Sequence, residues 1–206
     1  MNTSLDHLPI NFFDLTVVVV VTLGIHRGRK HGMSEELLNL LQWVVILFGC
    51  AVLYQPGGDL IGGFTNMFGR LACYLAAYIC AAGVIWLLFV GLKRALNGKL
   101  LGSDFFGRAE YYLGMGSGMV RFACILLVGL ALLHARYYTP TEVRAMQKFQ
   151  DDVYGSNFFP TLQSVQTAVF DHSLTGPWIK ANLGFLLIKP TEPEHKELHQ
   201  KEFAFP

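Results

Sequence analysis

The residues of this sequence that are most suited to a chemical role are ionisable residues inside apolar segments. Arg121 lies within a long apolar run, where an unpaired guanidinium is costly. We therefore expect it either to extend to the lipid headgroups or to pair with an acid. Glu110 and Glu36 are the candidate acids because both are predicted at the same membrane surface. An interfacial anchor is the favoured interpretation of Arg121, and a functional polar site is the alternative.

Further polar residues flank the first two apolar runs. Asp14 is predicted at the outer end of the first run, where a carboxylate would cap the helix and interact with its dipole. Cations follow the same run directly, and positive charge marks the cytoplasmic side of a membrane. The candidate interfacial or polar residues are Asp14, Arg27, Arg29, Gly32, Glu36 and Glu110.

Residue patterns for catalysis or metal binding are weak. Ser117 lies between Gly116 and Gly118 but lacks the strand-to-helix setting and the histidine of a nucleophile elbow. His195 and His199 are the one histidine pair that combines an i, i+4 spacing with nearby carboxylates, but they lie in a polar tail, and chance is the favoured explanation because a metal site demands a full ligand set in a defined geometry. The four cysteines fall inside apolar runs and show no disulfide or metal spacing. The sequence therefore predicts no enzymatic activity, no cofactor and no metal site.

The composition is that of a membrane protein. Hydrophobic residues make up 52% of the 206 residues and charged residues only 15%, with a mean hydropathy of +0.39. A soluble core of this size does not need so many apolar side chains. The net charge is +1, and the basic residues cluster in loops beside apolar runs instead of alternating with aromatics along a groove. The lipid bilayer is therefore the predicted partner, and nucleic acid is not.

Four apolar runs are predicted to cross the bilayer, which requires about 20 residues per helix. Basic residues follow the first and third runs, so the hairpins at 27–36 and 93–110 are predicted in the cytoplasm and both chain ends outside. The fold class expected is all-α. The predicted spans are Phe12–Ile25, Leu37–Tyr54, Leu71–Leu92 and Tyr112–Leu133.

Two connections are predicted from local signals. A loop at Gly28–Met33 is followed by Ser34, which is expected to cap the second helix. Pro56 with its neighbouring glycines is expected to end that helix after Tyr54, and a short interfacial helix is expected in the outer connection that follows.

The composition changes after His134, which divides the chain into a membrane domain at 1–134 and a tail at 135–206. The tail has apolar residues at helical spacing among charged ones, which predicts amphipathic helices outside the cytoplasm. The apolar stretch Trp178–Ile188 is too short to cross a bilayer and is expected on the membrane or on a partner. The end of the chain from Lys189 is charged and rich in proline, which predicts disorder.

The fourth apolar run contains a face of small residues. Gly114 and Gly118 are four residues apart, a spacing that allows another helix backbone to approach closely. We expect this face to mediate association, either with a second copy of the chain or with another membrane protein.

Several short motifs together resemble the colicin V production proteins, a family of bacterial inner-membrane proteins. Phe13-Asp14-Leu15 is similar to the acidic start of the family's first apolar segment. The family's Arg-Gly pair corresponds to Arg27-Gly28 or, at better spacing to Glu36, to His31-Gly32.

The start of the fourth helix carries the longest motif of the resemblance. The family pattern Asp-Arg-x-Leu-Gly, then Gly, then Arg-Gly, is similar to a segment with Glu110, Tyr111 and Gly114, then Gly118, then Arg121-Phe122. Glutamate replaces aspartate, Tyr111 replaces arginine and Phe122 replaces glycine in this pattern. The Leu-Gly-Ser-Asp turn at 101–104 and the Ser-x-x-x-Pro pattern at 156–160 are similar to the family as well. The resemblance covers roughly residues 10 to 170, and the segment 171–206 lies beyond it.

The resemblance implies a role in colicin V production or export and in envelope integrity, without a defined biochemical activity. We expect an accessory or scaffold protein of the inner membrane, working as a homo-oligomer or with another membrane protein. The alternative is an oligomeric channel or transporter component, in which Arg121, Glu110, Asn39 and Gln42 would line a polar path.

Overall fold

The computed structural model describes residues 11–64, 69–96, 109–155 and 160–191. Helices account for 87% of these residues, and the β structure among them is a single isolated bridge between Arg136 and Thr191. The predicted all-α class is therefore confirmed for the described chain. The helices are α1 Phe12–Phe64, α2 Arg70–Ala95, α3 Glu110–His134, α4 Pro140–Tyr154, α5 Leu162–Phe170 and α6 Thr175–Asn182, followed by a 3₁₀ turn at Gly184–Leu186.

Three of these helices are long and apolar enough to cross a membrane. They are α1, α2 and α3, and each contains an apolar stretch with few charged residues that is long enough to span the hydrocarbon layer. Many of their large apolar side chains are exposed, as expected of helices that face lipid. The chain is therefore a multi-pass membrane protein. The first two predicted spans both lie within α1, which has 53 residues.

Helix α1 is interrupted at Gly32, whose backbone has φ 73° and ψ 173°. Its N-terminal arm (residues 12–31) and C-terminal arm (residues 33–64) contact the same levels of α3: Gly24 lies against Gly118, and Glu36 pairs with Arg121. A straight helix would separate Gly24 from Glu36 by roughly 18 Å, whereas Gly118 and Arg121 differ by only about 4.5 Å along α3. The chain therefore reverses at Gly32, and the two arms are antiparallel.

The predicted loop at this reversal is wrong in extent. The residues from Gly28 to Met33 are helical except at Gly32, because this glycine alone adopts a backbone conformation essentially closed to other residues. Ser34 does not act as the predicted cap, since its hydroxyl is buried without a hydrogen-bond partner.

The predicted end of the second helix at Tyr54 is also wrong. Helix α1 continues through Pro56 to Phe64, so the expected separate interfacial helix begins as part of α1. The glycines after Pro56 serve packing rather than a turn. A side chain at Gly58 would overlap the ring of Tyr74, and a Cβ at Gly57 would lie 3.2 Å from that of Ala77.

The hydrophobic core extends from the membrane helices into the tail without a break. The core includes residues from the segment beyond the family resemblance, which ends near residue 170. The segment from 171 to 191 therefore packs on the end of the bundle. The buried members of this core are Phe13, Ile46, Cys50, Tyr54, Tyr78, Leu130, Ala131, Ala135, Val169, Phe170, Ile179, Leu187 and Ile188.

Several sequence predictions fall on the rest of the chain. The interior of the predicted 93–110 hairpin, including the turn at 101–104, lies outside the described residues. The serine of the Ser-x-x-x-Pro pattern and the predicted disordered end beyond Thr191 lie outside them too.

Candidate functional site

Five glycines bring α1 and α3 into backbone contact. A Cβ at Gly114 would lie 2.6 Å from the Gly28 carbonyl oxygen and 2.9 Å from the Gly32 Cα. A Cβ at Gly24 would lie 2.7 Å from the Gly118 carbonyl oxygen, and one at Gly118 would lie 2.9 Å from the Gly28 Cα. Only glycine permits this approach. We call these five residues the glycine seam.

The seam corrects one sequence prediction. The face of Gly114 and Gly118 was expected to bind a second copy or another protein, but the N-terminal arm of α1 in the same chain covers it. The spacing of small residues predicts that another helix backbone approaches closely, but it does not identify the helix. Gly24 near the end of the first apolar run and Gly28 just after it have the matching spacing, and this spacing was the signal that would have identified the partner.

The predicted interfacial residues Glu110 and Arg29 lie beside the reversal. A Cβ at Gly32 would lie 3.1 Å from the Cγ atom and from a carboxylate oxygen of Glu110. The Arg29 guanidinium stacks over the ring of Tyr111, 5.0 Å from its centroid. The start of α3 thus packs directly against the turn between the two arms of α1.

Arg121 pairs with Glu36 inside the bundle. Arg121 is 8% exposed and Glu36 only 1%, and the Nη1 atom donates to a carboxylate oxygen. The second carboxylate oxygen lies 4.0 Å from Nδ1 of His31. The sequence named both acids as candidates, and the structure brings Arg121 together with Glu36. Because a charge buried without a partner is strongly unfavourable, each residue requires the other.

Lys93 extends this polar group from the end of α2. Its Nζ atom donates to Asn39 Oδ1 at 2.8 Å and also to Gln42 Oε1. It interacts electrostatically with both members of the Arg121–Glu36 pair. We call these five residues the polar cluster. The sequence placed Lys93 in a basic loop, and its contact with two amides 51 and 54 residues away had no local signal.

The polar cluster occupies only one end of the membrane helices. From Glu36 to Gln42 it spans about 9 Å of helix, while the hydrocarbon layer is about 30 Å thick. The adjoining level contains Leu47 and Cys124, both buried in an apolar cluster. The arrangement can hold helices in register, and it does not line a continuous polar route across the bundle.

Asp14 connects the membrane domain to the tail. Its carboxylate accepts from the backbone N–H of Asn11 at 3.0 Å, from a position inside the first turn of α1 and not at the N-cap position that the sequence predicts. It also accepts from the backbone N–H groups of Leu174 and Thr175 at 3.0 and 3.1 Å, and from the Thr175 hydroxyl at 2.8 Å. Sequence reasoning missed this second role because the partners are 160 residues away. Asp14 therefore fixes the start of α6 to the start of α1.

The tail encloses a cavity of about 350 Å³ where it meets the bundle. Arg136 stacks over Tyr138 at 4.6 Å, and burial raises the pKa of this tyrosine. Lys180 and Asp171 pair across 3.6 Å at the same cavity. Its charges are thus mostly compensated by contacts within the tail. Across the described parts of the chain, no group of three His, Cys, Asp or Glu side chains is arranged to hold a metal ion.

The comparison with known proteins identifies a family. No curated protein and no solved structure matches the sequence. The family model described as colicin V production protein matches residues 13–167, which include both arms of α1, the glycine seam, the polar cluster, α4 and the first part of α5. The chain therefore belongs to the colicin V production protein family.

Proposed function

We propose that this protein is a non-enzymatic accessory subunit of the inner membrane, which holds a folded tail at the outer surface for contact with a partner. The observation that carries the proposal is the difference between surfaces that are paired within the chain and a surface that is not. The glycine seam and the polar cluster are paired within the chain, whereas tail helix α4 leaves an apolar face uncovered.

The proposed orientation rests on the positions of the basic residues. Arg27 and Lys30 precede the reversal at Gly32, and Lys93 reaches Asn39 near that reversal from the end of α2. These cations share one end of the bundle, which the positive-inside rule assigns to the cytoplasm. The tail contacts Asp14 at the opposite end and is therefore proposed to lie outside.

The same geometry supports our proposal of four crossings. The two arms of α1 run in opposite directions, and each contains enough residues to span the apolar layer. Labelling with a membrane-impermeant maleimide tests this topology in intact cells, using Lys30→Cys and Lys148→Cys in a chain whose native cysteines are replaced. We expect labelling at position 148 only. Labelling at position 30 would contradict the proposed topology.

Helix α4 is the surface proposed for the partner. Thr139 and Glu142 form a capping box at its start, and Gly155 ends it in a left-handed conformation. Phe149 and Val153, one turn apart, are 62% and 54% exposed. A well-capped helix with an uncovered apolar face is suited to binding a second protein surface.

The test is purification of the tagged full-length protein in mild detergent, with mass spectrometry of the proteins bound to it. We expect a defined partner, or a second copy, that is lost in Phe149→Ser/Val153→Ser. The matched control Arg144→Ser/Lys148→Ser changes exposed residues on another side of α4 and should retain the partner. Recovery of the wild-type protein alone and monomeric would contradict the proposal.

A channel component is the second candidate, favoured only by the polar cluster. The short extent of that cluster argues against a channel. Measuring ion flux across liposomes that contain the purified protein distinguishes the two roles. We expect no flux above that of empty liposomes. A flux that disappears in Arg121→Ala, with the folded state verified, would establish the channel and overturn the accessory role.

A further inference from the structure

A basic pocket lies beside the reversal of α1, on the outside of the glycine seam. It has a volume of about 570 Å³ and is lined by Leu23, His26, Arg27, Lys30, His31 and Phe122. Five of these residues belong to the N-terminal arm of α1 and one to α3. Because the glycine seam fixes these two helices in backbone contact, the walls of the pocket are held in place.

The cations of the pocket are available to a ligand. Arg27 and Lys30 are three residues apart on one helix face and are both exposed. Among the described ion pairs, none includes either residue. Arg29, by contrast, is engaged with Tyr111. Within the described part of the chain, the pocket therefore presents two positive charges without an ion-pair partner, a combination that attracts a phosphate group.

His31 adds a directed polar group. Its Nδ1 atom lies 3.0 Å from the Arg27 carbonyl oxygen, and since a carbonyl oxygen only accepts, Nδ1 carries the proton. This contact fixes the orientation of the imidazole ring. The other ring nitrogen, Nε2, takes no part in this hydrogen bond.

The remaining lining residues distinguish a free phosphate ion from the phosphate of a lipid headgroup. Leu23 is 52% exposed and Phe122 approaches it from α3, so an apolar surface adjoins the basic one. Both residues lie toward the membrane interior from Arg27 along their helices. A free phosphate ion would use only the cations. A lipid with a net negative headgroup uses the cations and also covers the apolar surface with an acyl chain.

We propose that this pocket binds the phosphate of an anionic phospholipid, with its acyl chain against Leu23 and Phe122. The shared chemistry is phosphate recognition, which inorganic phosphate also offers. The proposal is independent of the partner proposed for α4, because the pocket and α4 share no residue. Basic pockets between membrane helices on the cytoplasmic side are suited to such headgroups.

The experiment measures lipid binding to the purified full-length protein in detergent by native mass spectrometry. Phosphatidylglycerol, phosphatidylcholine and inorganic phosphate are titrated separately against wild type, Arg27→Gln/Lys30→Gln and Arg144→Gln/Lys148→Gln. The last variant removes the same charge from α4. A third variant, Arg27→Lys/Lys30→Arg, exchanges the cations and keeps both charges.

We expect saturable binding of phosphatidylglycerol that is tighter than that of phosphatidylcholine. Loss of Arg27 and Lys30 should weaken it by about 10- to 30-fold, given the usual contribution of each cation near an anionic surface. The α4 variant and the charge-preserving variant should bind as wild type does. Equal binding of both lipids, equal weakening in the α4 variant, or displacement of the lipid by equimolar inorganic phosphate would overturn the proposal.

Discussion

The buried pair of Arg121 and Glu36 is the residue-scale feature on which the helix arrangement depends. Removing one member leaves the other charged in an apolar interior, which typically costs about 3–5 kcal/mol. We therefore expect Glu36→Gln and Arg121→Met each to lower the free energy of unfolding by this amount, measured by denaturation in mixed micelles.

The double variant Glu36→Leu/Arg121→Met separates pairing from packing. With both charges gone, no unpaired ion remains, and stability should return to within about 1–2 kcal/mol of wild type because an apolar pair can replace a buried ion pair. Additive losses in the double variant would show that the two residues do not depend on each other.

Gly32 sets the reversal of α1 through its own backbone. A conformation with φ near 73° and ψ near 173° costs other residues about 1–3 kcal/mol. We expect Gly32→Ala to lower stability by that amount, measured by the same denaturation, even though the atoms nearest to the added methyl group belong to the flexible side chain of Glu110. An unchanged unfolding free energy would show that the backbone relaxes without loss.

At the scale of elements, the glycine seam determines how closely α1 and α3 approach. A methyl group at Gly28 would overlap the carbonyl oxygen of Gly114, so the helices must separate. We expect Gly28→Ala to reduce stability by about 1–3 kcal/mol, the usual cost of overpacking. Gly116 lies on α3 with no atom within 4 Å of an added Cβ, so Gly116→Ala should be neutral or stabilising by up to about 1 kcal/mol.

Disulfide crosslinking between introduced cysteines measures how closely α1 and α3 approach in the Gly28→Ala and Gly116→Ala variants. Residues facing each other across the seam should crosslink less efficiently in Gly28→Ala and equally well in Gly116→Ala. Equal crosslinking in both variants, together with equal stability, would mean that the close approach is not maintained by the glycines.

The elements that the sequence predicted well are those governed by local composition. The apolar helices and the close backbone approach at Gly114 and Gly118 follow from residue type and spacing. The identity of the approaching helix does not, because the spacing of small residues is the same for contacts within and between chains. Pro56 was misread for a related reason: neighbouring helices in a membrane can satisfy the backbone groups that proline leaves free, so the helix continues.

Contacts distant in sequence limited the prediction of the candidate site. Asn39, Gln42 and Lys93 are individually ordinary residues near a helix end, and only the packing of α2 against α1 makes them one cluster. Glu36 was identified as a possible partner of Arg121 because both were assigned to the same membrane surface. The choice between Glu36 and Glu110 required the position of the reversal at Gly32.

At the scale of the whole molecule, Asp14 links the membrane domain to the tail, which also carries the surface proposed for the partner on α4. Its carboxylate accepts from three donors at the start of α6, and each hydrogen bond to a charged group contributes roughly 1.5–3 kcal/mol. The apolar core of the tail also contributes to docking, so loss of Asp14 should loosen the tail without unfolding the bundle. We expect Asp14→Ala to lower the local opening free energy near Leu174 and Thr175 by at least about 2 kcal/mol.

Hydrogen exchange of the protein in detergent measures this loosening directly. A decrease of about 2 kcal/mol corresponds to roughly 30-fold faster exchange of the Leu174 and Thr175 amides. The control Asp152→Ala removes an exposed carboxylate from α4 and should leave their exchange unchanged. Amides within α2 should remain equally protected in both variants, because α2 is bonded to the C-terminal arm of α1 at Cys50, whereas the described hydrogen bonds of Asp14 join it to residues outside α2. Faster exchange throughout the bundle in Asp14→Ala would mean that the tail and the membrane helices unfold as one unit, and that Asp14 stabilises the entire fold rather than the position of the tail.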